Sequence, residues 1–170
     1  MKNRLRLFCA LAFFAVITVL AYGDTGTLRL TINAGSSQNE VVSSMAYYGN
    51  YFSDSATNVD LLFYSDDIEL YFEMFVPNGN NRLIAGTYRV SGNQNNDHGP
   101  FTFSYGEVDV ADEEMIYDIT GGAITINTTG AGTNMVYNIS FDLNMEDMDG
   151  RAATMRGDYQ GPIGWSDESN

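Results

Sequence analysis

The fold class of this chain is decided by residues 137–145, whose sequence is Tyr-Asn-Ile-Ser-Phe-Asp-Leu-Asn-Met. Apolar side chains stand at every second position, and polar side chains fill the positions between them. Because successive residues of a β-strand point to opposite faces, this period of two predicts a strand with one buried face and one face in water. The expected core residues are Tyr137, Ile139, Phe141 and Leu143, and the expected surface residues are Asn138, Ser140 and Asp142.

The same period of two recurs along the chain, at residues 28–32 and 68–76. No window keeps a stripe of period 3.6 long enough for a helix; one short helical turn is expected, between Ala111 and Tyr117. Turn residues such as Pro77-Asn78-Gly79 separate the strands at short intervals. Further strands are predicted near residues 41–51, 59–64, 83–90, 101–110, 123–127 and 152–159.

These strands predict an all-β fold. About eight to ten short strands joined by hairpins form an antiparallel meander, which closes into a barrel or folds into a two-layer sandwich. With no helix to carry the chain across a sheet, we expect no parallel pairing.

The first 23 residues carry the pattern of a secretory signal peptide. Three basic residues precede an apolar run from Leu7 to Leu20, and small residues at Ala21 and Gly23 favour cleavage before Asp24. Cleavage after Ala21 is a second frame. The chain is therefore divided into a signal peptide at 1–23 and a single β-domain at 24–170. We expect this domain to be secreted, periplasmic or associated with the cell surface, with no integral membrane segment after cleavage.

Charge limits the partners of the mature domain. Five arginines against 22 acidic residues give a net charge of −17, with no lysine and no cysteine, because Cys9 lies in the signal peptide. Such a field repels nucleic acid and anionic lipid. Stability must come from packing rather than disulfides, and lipidation at Cys9 is not expected because it stands at the start of the apolar run.

In the second half of the chain, several predicted strands begin with or closely follow a glycine. The pattern includes Ile84-Ala85-Gly86-Thr87-Tyr88-Arg89-Val90, Gly121-Gly122-Ala123-Ile124-Thr125-Ile126, the stretch from Tyr137 to Leu143, Asp149-Gly150-Arg151, and Met155 to Ile163. This pattern, over residues 84–163, resembles the small exported all-β proteins of Bacteroidota that are described as calycin-like or lipocalin-like. The resemblance implies a barrel and carries no catalytic residues. It also suggests O-glycosylation at Ser55, in Asp54-Ser55-Ala56.

Tyrosines are the first candidates for a binding site. The cluster of Tyr47, Tyr48 and Tyr51 offers wide apolar rings with polar tips, which suit sugars or protein partners. Packing of the same rings in a β-domain core is the alternative. If the strand runs without a bulge at Gly49, Tyr47 and Tyr51 share one face and Tyr48 lies on the other.

Oxygen ligands crowd one predicted hairpin. They are Asp142, Asn144, Glu146, Asp147 and Asp149, a donor set that calcium accepts, although the spacing is not that of an EF-hand. A polar hairpin tip is the favoured explanation of this cluster, and a calcium site is the alternative. His98 is the only histidine, in a loop, and a lone histidine cannot build a metal site with imidazole partners. No other cofactor is indicated.

Three functions fit these observations. The first is an exported, non-enzymatic β-domain that binds a small ligand, a glycan or a protein partner at the cell envelope. The second is a small secreted hydrolase that uses a pair of carboxylates, as glycosidases do. The third is an eight-stranded outer-membrane barrel, which the short strands and the polar chain end disfavour. No catalytic residue is identified.

Export predicts the N-terminus of the mature protein. Material recovered from the periplasm or the medium should begin at Asp24, or at Tyr22 if the second cleavage frame is used. N-terminal sequencing measures this directly. An intact Met1 in a membrane fraction would contradict the prediction.

Overall fold

The computed structural model describes residues 24–33, 37–51, 55–91, 98–110 and 115–167. Ten strands account for most of these residues. They are β1 (Asp24–Ile32), β2 (Ser37–Tyr51), β3 (Ala56–Tyr64), β4 (Ile68–Pro77), β5 (Gly86–Val90), β6 (Thr102–Val110), β7 (Met115–Thr129), β8 (Val136–Asp147), β9 (Ala152–Gly161) and β10 (Gly164–Asp167). One 3₁₀ turn, Gly132–Asn134, precedes β8. The predicted all-β class is confirmed, and the predicted signal peptide lies outside the described residues.

Hydrogen bonding runs around a ring of eight strands. The order is β1-β9-β8-β7-β6-β4-β3-β2, and β2 pairs again with β1. β5 lies between β7 and β6 at one end of the ring, whereas β6 and β7 pair directly at the other end. Two strand insertions therefore interrupt an otherwise barrel-like ring: β5 between β6 and β7, and β10 beside β2.

Two parallel pairings correct the expectation that every pair is antiparallel. Residues 89–90 of β5 pair with residues 102–103 of β6, and all of β10 pairs with residues 45–48 of β2. About a dozen residues separate β5 from β6, which is enough chain for the crossover connection that a parallel pair needs. β10 runs in the same direction as β9. It lies along the same edge of β2 as β1 does: β1 pairs with residues 37–44 of β2, and β10 pairs with residues 45–48. Since β9 and β2 are both antiparallel to β1, β10 runs parallel to β2.

The predicted helical turn is also corrected. Met115, Ile116 and Tyr117 belong to β7, where they pair with the end of β6, because the alternation of Ile116 and buried Tyr117 suits a strand. The remaining residues of that prediction, 111–114, lie outside the described residues. At the polar end of the chain, residues 164–167 form β10, a strand that was not among those predicted.

Side chains fill the interior of the ring, and residues 137–145 bury the face that their alternation predicts. Tyr137, Ile139, Phe141 and Leu143 are at most 3% exposed, while Ser140 and Asp142 are exposed and Asn138 is half-buried. The ring of Phe141 stacks on Phe72 of β4 with centroids 5.6 Å apart and meets Phe63 of β3 edge-on at 6.0 Å. Aromatic side chains from opposite walls therefore meet at the centre.

Truncation of the central aromatic residue tests this packing. Phe141→Ala should lower the free energy of unfolding by about 3–5 kcal/mol, because it removes a buried ring and leaves a cavity. Ser140→Ala, on the exposed face of the same strand, should change it by less than about 0.5 kcal/mol. Denaturant titration measures both variants. A loss under about 1 kcal/mol for Phe141→Ala would show that the strand faces the other way.

Candidate functional site: a tyrosine and carboxylate face

The predicted tyrosine site is only partly within the described side chains. Tyr47 is half-buried on β2, opposite Asp60 of β3. It alternates with the buried Ala46, so it lies on the outer face of the ring. The side chains of Tyr48 and Tyr51 lie outside the described part of the structure. The backbone register between β2 and β3 shifts between Tyr48 and Tyr51, which is the irregularity that Gly49 allows.

Other tyrosines and carboxylates gather on the same outer face. We call this set the outer patch; its members lie on neighbouring strands in the order β2, β3, β4, β6. They are Tyr47, Asp60, Tyr71, Glu73, Tyr105 and Glu107. Asp60 pairs with Glu73, and Glu73 pairs with Tyr105. The patch therefore crosses the sheet from strand to strand.

Contacts within the outer patch fix its side chains. The rings of Tyr71 and Tyr105 lie 5.9 Å apart. Burial, and then the charges of Asp60 and Glu73, raise the pKa of Tyr71, and its hydroxyl is hydrogen-bonded to Asp60. This phenol therefore stays protonated and donates at any physiological pH.

Glu73 is held by two neighbours. It accepts a hydrogen bond from the hydroxyl of Ser104 and one of 3.4 Å from the amide of Asn58. The register between β4 and β6 shifts after Glu73, and this places both Ser104 and Tyr105 opposite the end of the patch. Tyr105 donates a hydrogen bond to Glu107 and is 43% exposed. The carboxylates are thus positioned before any partner arrives.

Glu69 and Asp109 extend the negative charge along β4 and β6. They are direct partners across the two strands, and both are half-buried. Burial, and then the charges of Asp109 and Glu107, raise the pKa of Glu69. Arg151 and Arg156 pair with acidic residues of the β8–β9 hairpin rather than with these carboxylates. The field at this face is therefore strongly negative.

The outer patch was not identified from the sequence, although part of its signal was present. Glu69, Tyr71 and Glu73 alternate with buried residues of β4, so their outward direction could be read from the sequence. Their assembly with Asp60 and Tyr105 depends on the registers of three strands.

Phe75 has the same outward direction but is fully buried, because the ring of His98 stacks on it at 4.6 Å. His98 is 7% exposed, and this contact gives it a packing role.

The residues of the predicted calcium site have other contacts. Asp142 pairs with Arg156 at 3.1 Å, and Asp149 pairs with Arg151 at 3.1 Å. Asp147 closes the hairpin by accepting hydrogen bonds from the backbone of Asp149 and Arg151, at 2.9 and 2.8 Å. The other two members, Asn144 and Glu146, are exposed on β8. Among the described residues, no group of three or more acidic, histidine or cysteine side chains is placed to hold a metal ion.

Ser55, the predicted modification site, is exposed directly before β3. Its carbonyl accepts a hydrogen bond of 3.0 Å from the backbone of Asn78, which ties it to the turn after β4. The position is accessible from the outside of the ring.

Comparison with known proteins identifies no relative of this chain. No protein-family model matches the chain, and neither a curated protein nor a solved structure does. Within the described ranges, no helix is long and apolar enough to cross a membrane.

The like charges at Glu69 predict a pH-dependent stability. Its pKa is raised in the folded state, so its contribution favours folding below the ordinary glutamate pKa and is lost as the pH rises through the folded-state pKa. Glu69→Gln should therefore raise the free energy of unfolding at pH 7 by roughly 0.2–1 kcal/mol, the range for cross-strand pairs. The gain should vanish near pH 3, where wild-type Glu69 is itself uncharged.

Denaturant titration at both pH values measures this effect. Asp66→Asn, which removes a carboxylate from the exposed turn before β4, should change the free energy by less than about 0.5 kcal/mol at either pH. A lower stability of Glu69→Gln at pH 7 would contradict the assignment of repulsion at this pair.

Proposed function

We propose that the chain is an exported, non-enzymatic β-domain that binds a cationic protein or peptide at the cell envelope through the outer patch. Export rests on the N-terminal signal pattern, and the absence of an identified catalytic set favours binding over catalysis. The observation that carries the proposal is the outer patch itself, where tyrosines and carboxylates share one face. Next to the patch, the charges of Asp109 and Glu107 help to raise the pKa of Glu69.

Lysine and arginine side chains match this surface in two ways. Their charges relieve the repulsion among carboxylates, and their stems and cationic groups pack on tyrosine rings. The mature chain carries 22 acidic residues against five arginines, so it attracts such a partner at long range as well. A neutral glycan would use the tyrosine rings but leave the charge repulsion in place.

The filled interior of the ring disfavours a ligand enclosed within it. Phe63, Phe72 and Phe141 meet in the space that a ligand-carrying barrel leaves open. A partner bound on the outside or at an end of the ring agrees better with this packing.

A carboxylate-dependent hydrolase is the second candidate, and one observation favours it. Glu69 has a raised pKa and lies directly opposite Asp109, as a general acid beside a second carboxylate would. These residues stand on the outer face of the sheet, however, and hydrolases of this type place their acids on either side of a bound sugar. We therefore rank binding first.

Charge removal within the outer patch tests the proposal. The double variant Glu73→Gln and Glu107→Gln should bind an arginine-rich peptide at least about fivefold more weakly than the wild type, because two positioned carboxylates are lost. Calorimetric titration at low and physiological salt measures this, and the wild-type affinity should fall as salt rises.

A matched control separates the patch from net charge. The double variant Asp142→Asn and Asp158→Asn removes the same charge from exposed positions on β8 and β9. It should keep most of the affinity. Equal losses in both double variants would show that the patch has no special role, and hydrolysis of a glycoside abolished by Glu69→Gln would favour the enzyme instead.

A further inference from the structure

A small pocket lies at one end of the ring. It is formed by the loop before β5, the 3₁₀ turn, the start of β8, and the link from β9 into β10, and its volume is about 230 Å³. Its lining includes Arg82, Met135, Tyr137, Pro162, Ile163 and Trp165. Pockets for drug-sized ligands begin at about 300 Å³, so this one suits a single ring.

Arg82 brings a positive charge to this pocket. Its guanidinium carbon lies 5.7 Å from the ring centre of Trp165, within the distance of a cation–π contact. The ion pairs between described residues use Arg151 and Arg156 and leave Arg82 out. The chain has 22 acidic residues, yet among the residues that the structure describes the guanidinium of Arg82 contacts an aromatic ring rather than a carboxylate. Its charge can therefore bind the anionic group of a ligand.

Tyr137 also lines this pocket and carries a buried hydroxyl. The residue is 1% exposed, and its phenolic oxygen has no hydrogen-bond partner of normal geometry among the described residues. Burial raises the pKa of Tyr137, and the charge of Arg82 and a weak hydrogen bond from the indole N–H of Trp165 lower it by less. The hydroxyl therefore stays protonated, and a buried donor of this kind favours an incoming acceptor.

Hydrogen bonds fix the part of the pocket wall that Pro162 forms. The hydroxyl of Ser44 donates to the carbonyl of Pro162 at 2.8 Å, and Tyr159 contacts both groups through its own hydroxyl. Gly26 and Gly161 leave the space for Tyr159, because a Cβ on either would come within 2.5 Å of its side chain. Pro162 and the residues after it are thus held in place, and the pocket is formed before a ligand binds.

We propose that this pocket binds a small ring that carries a carboxylate. The carboxylate accepts hydrogen bonds from the guanidinium of Arg82 and the hydroxyl of Tyr137, and the ring packs on Met135, Ile163 and Trp165. Sugar acids and carbocyclic acids share this chemistry. The inference is independent of the outer patch, whose charge is opposite.

The only tryptophan of the chain reports on this pocket directly, because it is Trp165. Titration of the wild-type domain with D-glucuronate or with cyclohexanecarboxylate should give a saturable change in tryptophan emission. Glucose and cyclohexanol, which lack the carboxylate, should give none. Saturation by glucuronate alone would assign the site to sugar acids, and saturation by cyclohexanecarboxylate alone to carbocyclic acids; both results support the proposal.

Two variants and one control locate the contacts. Arg82→Gln and Tyr137→Phe should each weaken binding about tenfold or more, with melting temperatures close to the wild type. Arg89→Gln removes the same charge from an exposed position on β5 and should bind as the wild type does. No saturable response to either acid, or equal losses for Arg82→Gln and Arg89→Gln, would overturn the proposal.

Discussion

The pairing of β1 with both β9 and β2 is the constraint on which the rest of the structure depends. It closes the ring, and closure removes the free edges that an open sheet of this size would expose. In a closed ring each strand has one inner and one outer face, so the alternation of apolar residues settles which side chains fill the interior. A slip of one residue in β8 would turn Phe141 outward and carry an aspartate or serine inward, which makes the register strongly specified.

A filled interior leaves the outer surface and the ends of the ring for function. The described structure has one candidate binding region on the outer surface and one at an end of the ring. On the outside, Tyr71 and Tyr105 stand among carboxylates, and at one end Arg82 and Trp165 line a pocket. The two regions have opposite charge and different shape. A flat acidic face suits an extended cationic partner, whereas a pocket of about 230 Å³ suits a small anion.

Local patterns predicted most of the fold, because strand alternation and turn residues act over short distances. The strands around Phe72 and Phe141 were placed correctly, and so was the direction of their buried side chains. The choice between a closed barrel and a sandwich was left open, and the two parallel pairings and β10 were not predicted. Closure joins residues 27–32 to residues 155–160, and β10 joins residues 164–167 to residues 45–48, so neither follows from local patterns. Met115–Tyr117 was expected in a helical turn, but these residues form part of β7 because they pair with β6.

The candidate sites were predicted less well for the same reason. Tyr47 was identified from its neighbours in sequence, but its partners on the outer face lie on three other strands. Arg82, Tyr137 and Trp165 come from three separate segments, and their meeting depends on the end of the ring. The calcium site was expected because five oxygen-bearing residues are close in sequence. In the folded hairpin, Arg151 and Arg156 form ion pairs with three of those carboxylates, which are Asp142, Asp147 and Asp149.

Amide hydrogen exchange in β1 tests the central claim, which is closure of the ring. Residues 27–31 are paired with β2 on one side and with β9 on the other, so successive amides are bonded to alternate neighbours. All five amides should exchange as slowly as those of residues 139–143 in β8, whose strand is also paired on both sides. Rapid exchange at every second residue of β1 would show that one side of the strand is an open edge, and it would contradict the closed ring.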